Sequence, residues 1–278
     1  MPLCLSMAGV AGCIGFEVGC IESLLSLVPS EEKPTLVYAG LSSGSIVASM
    51  LSLGLTPVQI VGKFERFTTF FQRHHHPVTH WFTHLRTLYD EFLEPDSYRR
   101  VSGKLFVGYS ALTPFGLRPR VVSEFTSNAD LLDALFASCH LMPYQPCPFG
   151  LYRGEISCDG AFSRGIIRPP GMRTVGITSA MVHANAFWSD WVPSIELEKA
   201  HRLYDAGQAF VQRHRVYFYQ QINGAPFRVL KLPVYFNPFK YLRWVRRVLM
   251  VVLLVWLWRR FGWTCRVISK YRERLLQR

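Results

Sequence analysis

The sequence predicts an α/β protein with a mainly parallel sheet, and three observations carry that prediction. A short apolar run opens the chain and passes through a small-residue loop into a helical pattern. A second β-branched run does the same about thirty residues later. Further strand-like runs alternate with helical ones downstream, the order that parallel sheets with flanking helices require. Leu3–Met7 reads as a buried strand, Ala8–Gly15 as a tight loop and Phe16 to Leu27 as a helix with apolar three- and four-residue steps. Pro29 to Pro34 is a turn. Thr35–Ala39 is the second strand, and Gly44 to Leu53 is a helix closed by Gly54. Pro57 to Phe92 is helical, rich in Phe and His, and broken at Pro77. Lys104–Ser110 and Val121–Phe125 read as strands, Ala129–Ser138 as a helix, Gly154–Ser157 and Thr174–Ser179 as strands, and Glu196–His214 as a helix. Residues 215–239 are aromatic and interrupted by proline, as in a linker or cap.

The charge is not spread evenly. The 278 residues carry 31 Lys+Arg against 19 Asp+Glu, a formal +12. Residues 240–278 hold 11 of the basic groups and one acid, Glu273, so the rest of the chain is close to neutral. Within that tail, Val248 to Trp258 is an uninterrupted apolar run bracketed by Arg246-Arg247 and Arg259-Arg260. As a helix it would reach about 16 Å, roughly half a hydrocarbon core. Four of the seven tryptophans lie beside or within it: Trp244, Trp256, Trp258 and Trp263. Tryptophan and snorkelling arginine favour the headgroup boundary, so the tail reads as an in-plane or hairpin membrane anchor. A span from Trp244 to Trp263 and a buried core helix are the alternatives. A nucleic-acid-binding tail would lack this Val, Leu and Trp block, so no nucleic-acid partner is expected.

Seven cysteines are scattered without a CxxC pair, which points to reduced thiols in a cytosol-facing protein. The apolar start lacks a basic n-region, so a secretory signal peptide is not expected. His74-His75-His76, His80 and His84 invite a metal reading, but Pro77 interrupts their helix and no acidic or thiol ligand falls in register. No metal and no cofactor are expected. Cys13 and Cys158 read as small packing residues, and Phe64, Phe67, Phe70 and Phe71 as core or acyl-pocket lining.

The chemistry concentrates at Gly40-Leu41-Ser42-Ser43-Gly44, a G-x-S-x-G between a predicted strand and a predicted helix. A serine on a sharp strand-to-helix turn exposes its hydroxyl, and the flanking Gly40 and Gly44 relieve crowding there. The helix N-terminus that follows favours developing negative charge. His183, His201 and His214 lie downstream as candidate bases for a histidine-triad esterase. However, only one strand and one helix fit ahead of Ser42, whereas the α/β-hydrolase order needs several strands there.

The loop Ala8-Gly9-Val10-Ala11-Gly12-Cys13-Ile14-Gly15, the elbow and Cys158-Asp159-Gly160-Ala161 together resemble the patatin-like phospholipase family. Val122-Ser123-Glu124-Phe125, Asp130 to Leu135, Ala137-Ser138-Cys139, Pro143-Tyr144 and Tyr152-Arg153-Gly154 are similar to its adipose triglyceride lipase branch. The resemblance covers residues 1–215. It implies a three-layer sandwich, a Ser42–Asp159 dyad without histidine, and an oxyanion hole on the loop Gly9, Val10, Ala11, Gly12. It departs from the family at Val10 and Ala11, where glycine would be usual, and at Ala161 after Gly160. The expected organisation is an acyl hydrolase domain at 1–215, a linker or cap at 216–239 and a membrane anchor at 240–278. The expected activity is hydrolysis of phospholipid or acylglycerol esters at a membrane or lipid-droplet surface. The alternative is a catalytically weak or inactive relative that binds a lipid surface.

Overall fold

The structure, a computed structural model, describes residues 1–73, 81–141, 149–186, 197–225 and 230. Residues 1–232 form one unit and 233–278 another. His74 to His76, His80, Pro143-Tyr144 and the whole tail 240–278 lie outside the described residues. No described helix is long and apolar enough to cross a membrane.

The opening strand β1 (Leu3–Met7) leads through a 3-10 turn at Ala11–Cys13 into helix α1 (Ile14–Leu27). Strand β2 (Val37–Leu41) runs directly into α2 (Ser43–Ser52). Three helices follow: α3 (Pro57–Arg73), α4 (Trp81–Asp90) and α5 (Ser97–Val101). The hairpin β3 (Leu105–Thr113) and β4 (Gly116–Val122) precedes α6 (Asn128–Ser138). A short hairpin, β5 (Gly150–Tyr152) and β6 (Glu155–Cys158), leads to β7 (Arg173–Ile177), α7 (Ser179–His183), α8 (Leu197–Arg213) and α9 (Arg215–Ile222). The expected strand at 121–125 is therefore displaced to 116–122, and the start of the expected linker is helical. Pro119 hides β4 from a sequence reading, because proline is tolerated in a strand at an edge, where no ladder donor is needed.

The sheet order is β5-β6-β3-β2-β1-β7, with β4 on the other edge of β3. Strands β3, β2, β1 and β7 are mutually parallel, while β4, β6 and β5 join antiparallel. Side chains alternate between the two faces. Leu5, Leu105 and Val175 enter a large core together with the buried residues of the helices. The opposite face is smaller: Cys4, Val37, Ala39 and Leu41 pack on Ile167, Phe106 and Met172. Among the described residues, every helix that reaches a core reaches the larger one. The second face is covered, among the described residues, by the non-helical segment around Ile167. Ser6 fixes that segment, its hydroxyl accepting the Ile167 N–H at 3.0 Å.

Candidate active site

The site is built by the way β3 is shared. One edge of β3 is taken by β4 from Val107 to Thr113. The other edge is divided: β2 pairs up to Leu41↔Gly108, and β6 pairs from Cys158↔Ser110 onward. Since β2 runs parallel and β6 antiparallel to β3, their C-terminal ends point at each other. Extending both registers by one residue places Ser42 and Asp159 together opposite Tyr109.

At that junction Ser42 Oγ donates to Asp159 Oδ2 at 2.5 Å. Ser42 has φ 51 and ψ −130, a conformation rare for a residue with a side chain. Strain of this kind persists only where the surroundings over-determine it. Here they do. The Ser42 N–H donates to Ser138 Oγ at 2.8 Å, and the Ser138 hydroxyl donates to the Gly108 carbonyl at 2.6 Å. The Ser42 carbonyl accepts from the N–H and the hydroxyl of Ser45, at 2.8 and 2.6 Å. The turn also requires glycine at 44, where a Cβ would stand 2.5 Å from the Ala8 carbonyl oxygen.

Asp159 is held as firmly and is only 3% exposed. Its N–H donates to the His140 carbonyl, its carbonyl accepts from Ser110 Oγ at 2.8 Å, and its Oδ1 accepts the Ala161 N–H at 2.9 Å. Cys158 and Cys139 flank it. Burial first, and then the nearby Asp159 charge, push the Cys158 thiol up to about 12 and the Cys139 thiol up as well. Both therefore stay protonated and unreactive at neutral pH.

The glycine-rich loop lies against the elbow. A Cβ on Gly9 would sit 2.8 Å from Ser42 Cβ and 3.0 Å from Ala161 Cβ, so the loop backbone touches the serine. The four loop residues are not equivalent. The Val10 N–H donates to Ser43 Oγ at 2.9 Å, and Ala11 takes a positive φ of 48°. Of the histidines, His201 pairs with Glu65 at 2.9 Å, and His214 packs on Phe210 with ring centroids 4.6 Å apart. Among the described residues no cluster of acids, histidines and cysteines is placed to hold a metal ion.

The sequence points to both ends of the 2.5 Å contact and to the loop beside it. It assigns no role to Ser138, Ser110 or Ser43, which fix the elbow, the aspartate and the loop respectively. Ser43 has a local signal, being next to the nucleophile position. Ser110 shows its part only once β3 and β6 are paired. Ser138, which the sequence marks only within the Ala137-Ser138-Cys139 motif, shows its part only through its hydrogen bonds from α6 to the elbow and to β3.

No protein-family profile matches the chain. Two curated relatives do, both named omega-hydroxyceramide transacylase. The mouse protein is 27% identical over 168 residues, which is 58% of this chain and 27% of that protein. The human protein is 29% identical over 167 residues, 58% of this chain and 31% of that protein. The matched stretch thus spans less than a third of the relatives' own length. Among solved structures, VipD from Legionella pneumophila aligns with a TM-score of 0.38 and 13% identity, over 63% of this chain and 49% of that one. The distant relatives are, by name, enzymes of acyl transfer on a lipid.

Proposed function

We propose that this chain is a serine acyl-transfer enzyme of lipid esters, patatin-like in mechanism, with Ser42 as nucleophile and Asp159 as base. The observation that carries the reading is the 2.5 Å contact from Ser42 Oγ to Asp159 Oδ2 on a strained strand-to-helix turn. Ser42 attacks the carbonyl carbon of a fatty-acyl ester while its proton passes to Asp159. The tetrahedral oxyanion is met by backbone N–H groups of Gly9, Ala11 and Gly12. Val10 leaves the donor set because its N–H is engaged by Ser43 Oγ. Collapse returns the proton from Asp159 to the departing alcohol and leaves an acyl-Ser42. Water then releases a fatty acid, or a lipid hydroxyl takes the acyl group. The name shared by the relatives favours a lipid hydroxyl as a competent acceptor. An ordinary aspartate, with a pKa of about 3.9, is a weak base at neutral pH. Oxyanion stabilisation therefore carries much of the rate, and one donor is worth roughly 100- to 1,000-fold.

The tail 240–278, basic and rich in tryptophan, anchors this chemistry to the cytosolic side of an intracellular membrane or to a lipid droplet. Its removal is expected to abolish vesicle binding and leave hydrolysis of a soluble ester in place. The function itself is tested by a fluorophosphonate probe and a lipid panel. The panel offers phospholipids and acylglycerols, with water alone or with an added hydroxylated lipid. Wild type should label at Ser42 and turn over ester, while Ser42→Ala should do neither. Folded wild type that resists the probe would leave only a lipid-binding module.

A further inference from the structure

We infer that the β3–β4 hairpin tip is a lipid-docking element that inserts into an anionic membrane surface beside the catalytic centre. The turn between β3 and β4 consists of Pro114 and Phe115. Turn chemistry accounts for Pro114 and for Gly116 (φ 106), but nothing in it calls for phenylalanine at 115. Phe115 is 88% exposed, the most exposed large apolar side chain among the described residues. Behind it the cross-strand pair Leu112↔Leu117 is half-buried and, among the described residues, belongs to neither core cluster. The tip therefore shows water the apolar pair Pro114 and Phe115, backed by the half-buried Leu112 and Leu117.

Position and charge select the occupant. From the level of Tyr109, where Ser42 and Asp159 meet, β3 runs on for four residues to Thr113, about 13 Å along the strand. The tip thus stands out beyond the carboxyl ends of the parallel strands, the end at which such sheets present their sites. Phe115 lies at the same end of the sheet as Ser42, at the tip of the strand that runs past it. Arg118, one residue behind the cap, is exposed, as is Arg164 beyond the Asp159 turn; neither forms an ion pair among the described residues. An apolar cap with an unpaired basic collar matches acyl chains topped by anionic headgroups. The hairpin would complement the tail by setting the orientation of the catalytic unit on the surface.

The assignment rests on the lipid-substrate reading above, and the test separates the two. In the full-length chain, Phe115→Cys is labelled with an environment-sensitive fluorophore, with labelled wild type as background; the five described cysteines are buried. Vesicles of phosphatidylcholine with phosphatidylserine should raise and blue-shift the emission at 115, and pure phosphatidylcholine should do so less. Unchanged emission on vesicles that sediment the protein overturns the proposal. In parallel, Phe115→Asp should lower hydrolysis of vesicle lipid by roughly tenfold or more, because a buried phenyl ring is replaced by a charge. Hydrolysis of a soluble short-chain ester should stay within about twofold. Equal losses on both substrates would place Phe115 in the catalytic site and overturn the docking role. If wild type hydrolyses neither substrate, the enzymatic reading fails while the fluorophore still decides the docking.

Discussion

Ser42 and Asp159, 117 residues apart in the chain, meet because two strands share one edge of β3 end to end. Neither residue sits on a free loop. Ser42 closes β2, Asp159 closes β6, and β3 sets the gap between them. A dyad positioned by strand ends has little slack along the strand. Asp159→Glu, which keeps the carboxylate and adds a methylene, should therefore fail almost as badly as Asp159→Asn. Both are expected to lower kcat on a soluble ester by at least about 100-fold, the scale of a lost general base. Thermal melts should show both variants folded. A glutamate variant with a tenth of wild-type activity would mean that the strand ends are not what holds the pair.

Ser138 belongs to the same construction. Its hydroxyl accepts from the strained Ser42 N–H and donates to Gly108, joining α6, the elbow and β3 through one oxygen. Ser138→Ala leaves a half-buried donor and a buried acceptor without that partner, at a cost of about 1–3 kcal/mol. The nucleophile's backbone also loses its tether. The expected outcome is a lower melting temperature together with a kcat reduced about tenfold and KM little changed. A fall in stability with kcat intact would confine Ser138 to a structural role.

The sequence makes the strand–turn–helix units legible because each is local. Leu3–Met7 is apolar throughout, the glycines mark the turns, and α1 and α2 show their periodicity within a dozen residues. Ser42 is legible for the same reason, and Asp159 through the residues around it. The abutment of β2 and β6 is not, because it depends on how far β3 outruns β2, a long-range property. Strand β5 has three residues, too few for any alternation to register, and Pro119 disguises β4. The unequal roles of the glycine-loop residues were hidden as well. That the Val10 N–H is engaged by Ser43 Oγ shows only in one hydrogen bond across 33 residues.

That loop offers a pair of opposed substitutions. Ala11 stands at φ 48°, where a Cβ costs about 1–2 kcal/mol. Glycine relieves that strain and loses some of the gain to chain entropy. Ala11→Gly should therefore raise stability by about 0.5–1 kcal/mol. Gly9→Ala acts in the other direction, since its Cβ would press on Ser42 Cβ at 2.8 Å. It is expected to cut kcat by tenfold or more, because the loop must retreat from the nucleophile. Melting curves and soluble-ester kinetics on the two variants decide both. A destabilised Ala11→Gly would show that Ala11 makes contacts worth more than its strain.

The buried acid of α1 predicts how stability depends on pH. Glu17 is 0% exposed, and among the described residues neither carboxyl oxygen has a hydrogen-bond partner. Burial raises its pKa well above the ordinary 4.5. In the unfolded chain the same group ionises near 4.5, so from there upward the unfolded state releases a proton that the folded state retains. The stability associated with the neutral carboxyl is complete below that pH and is lost as pH rises towards the folded value. Glu17→Gln keeps shape and polarity but cannot ionise. It should melt with wild type at pH 4 and above it at pH 8, the gap opening as pH rises past about 4.5. A gap as wide at pH 4 as at pH 8 would trace the effect to packing, and no gap at either pH would mean that folded Glu17 ionises without penalty.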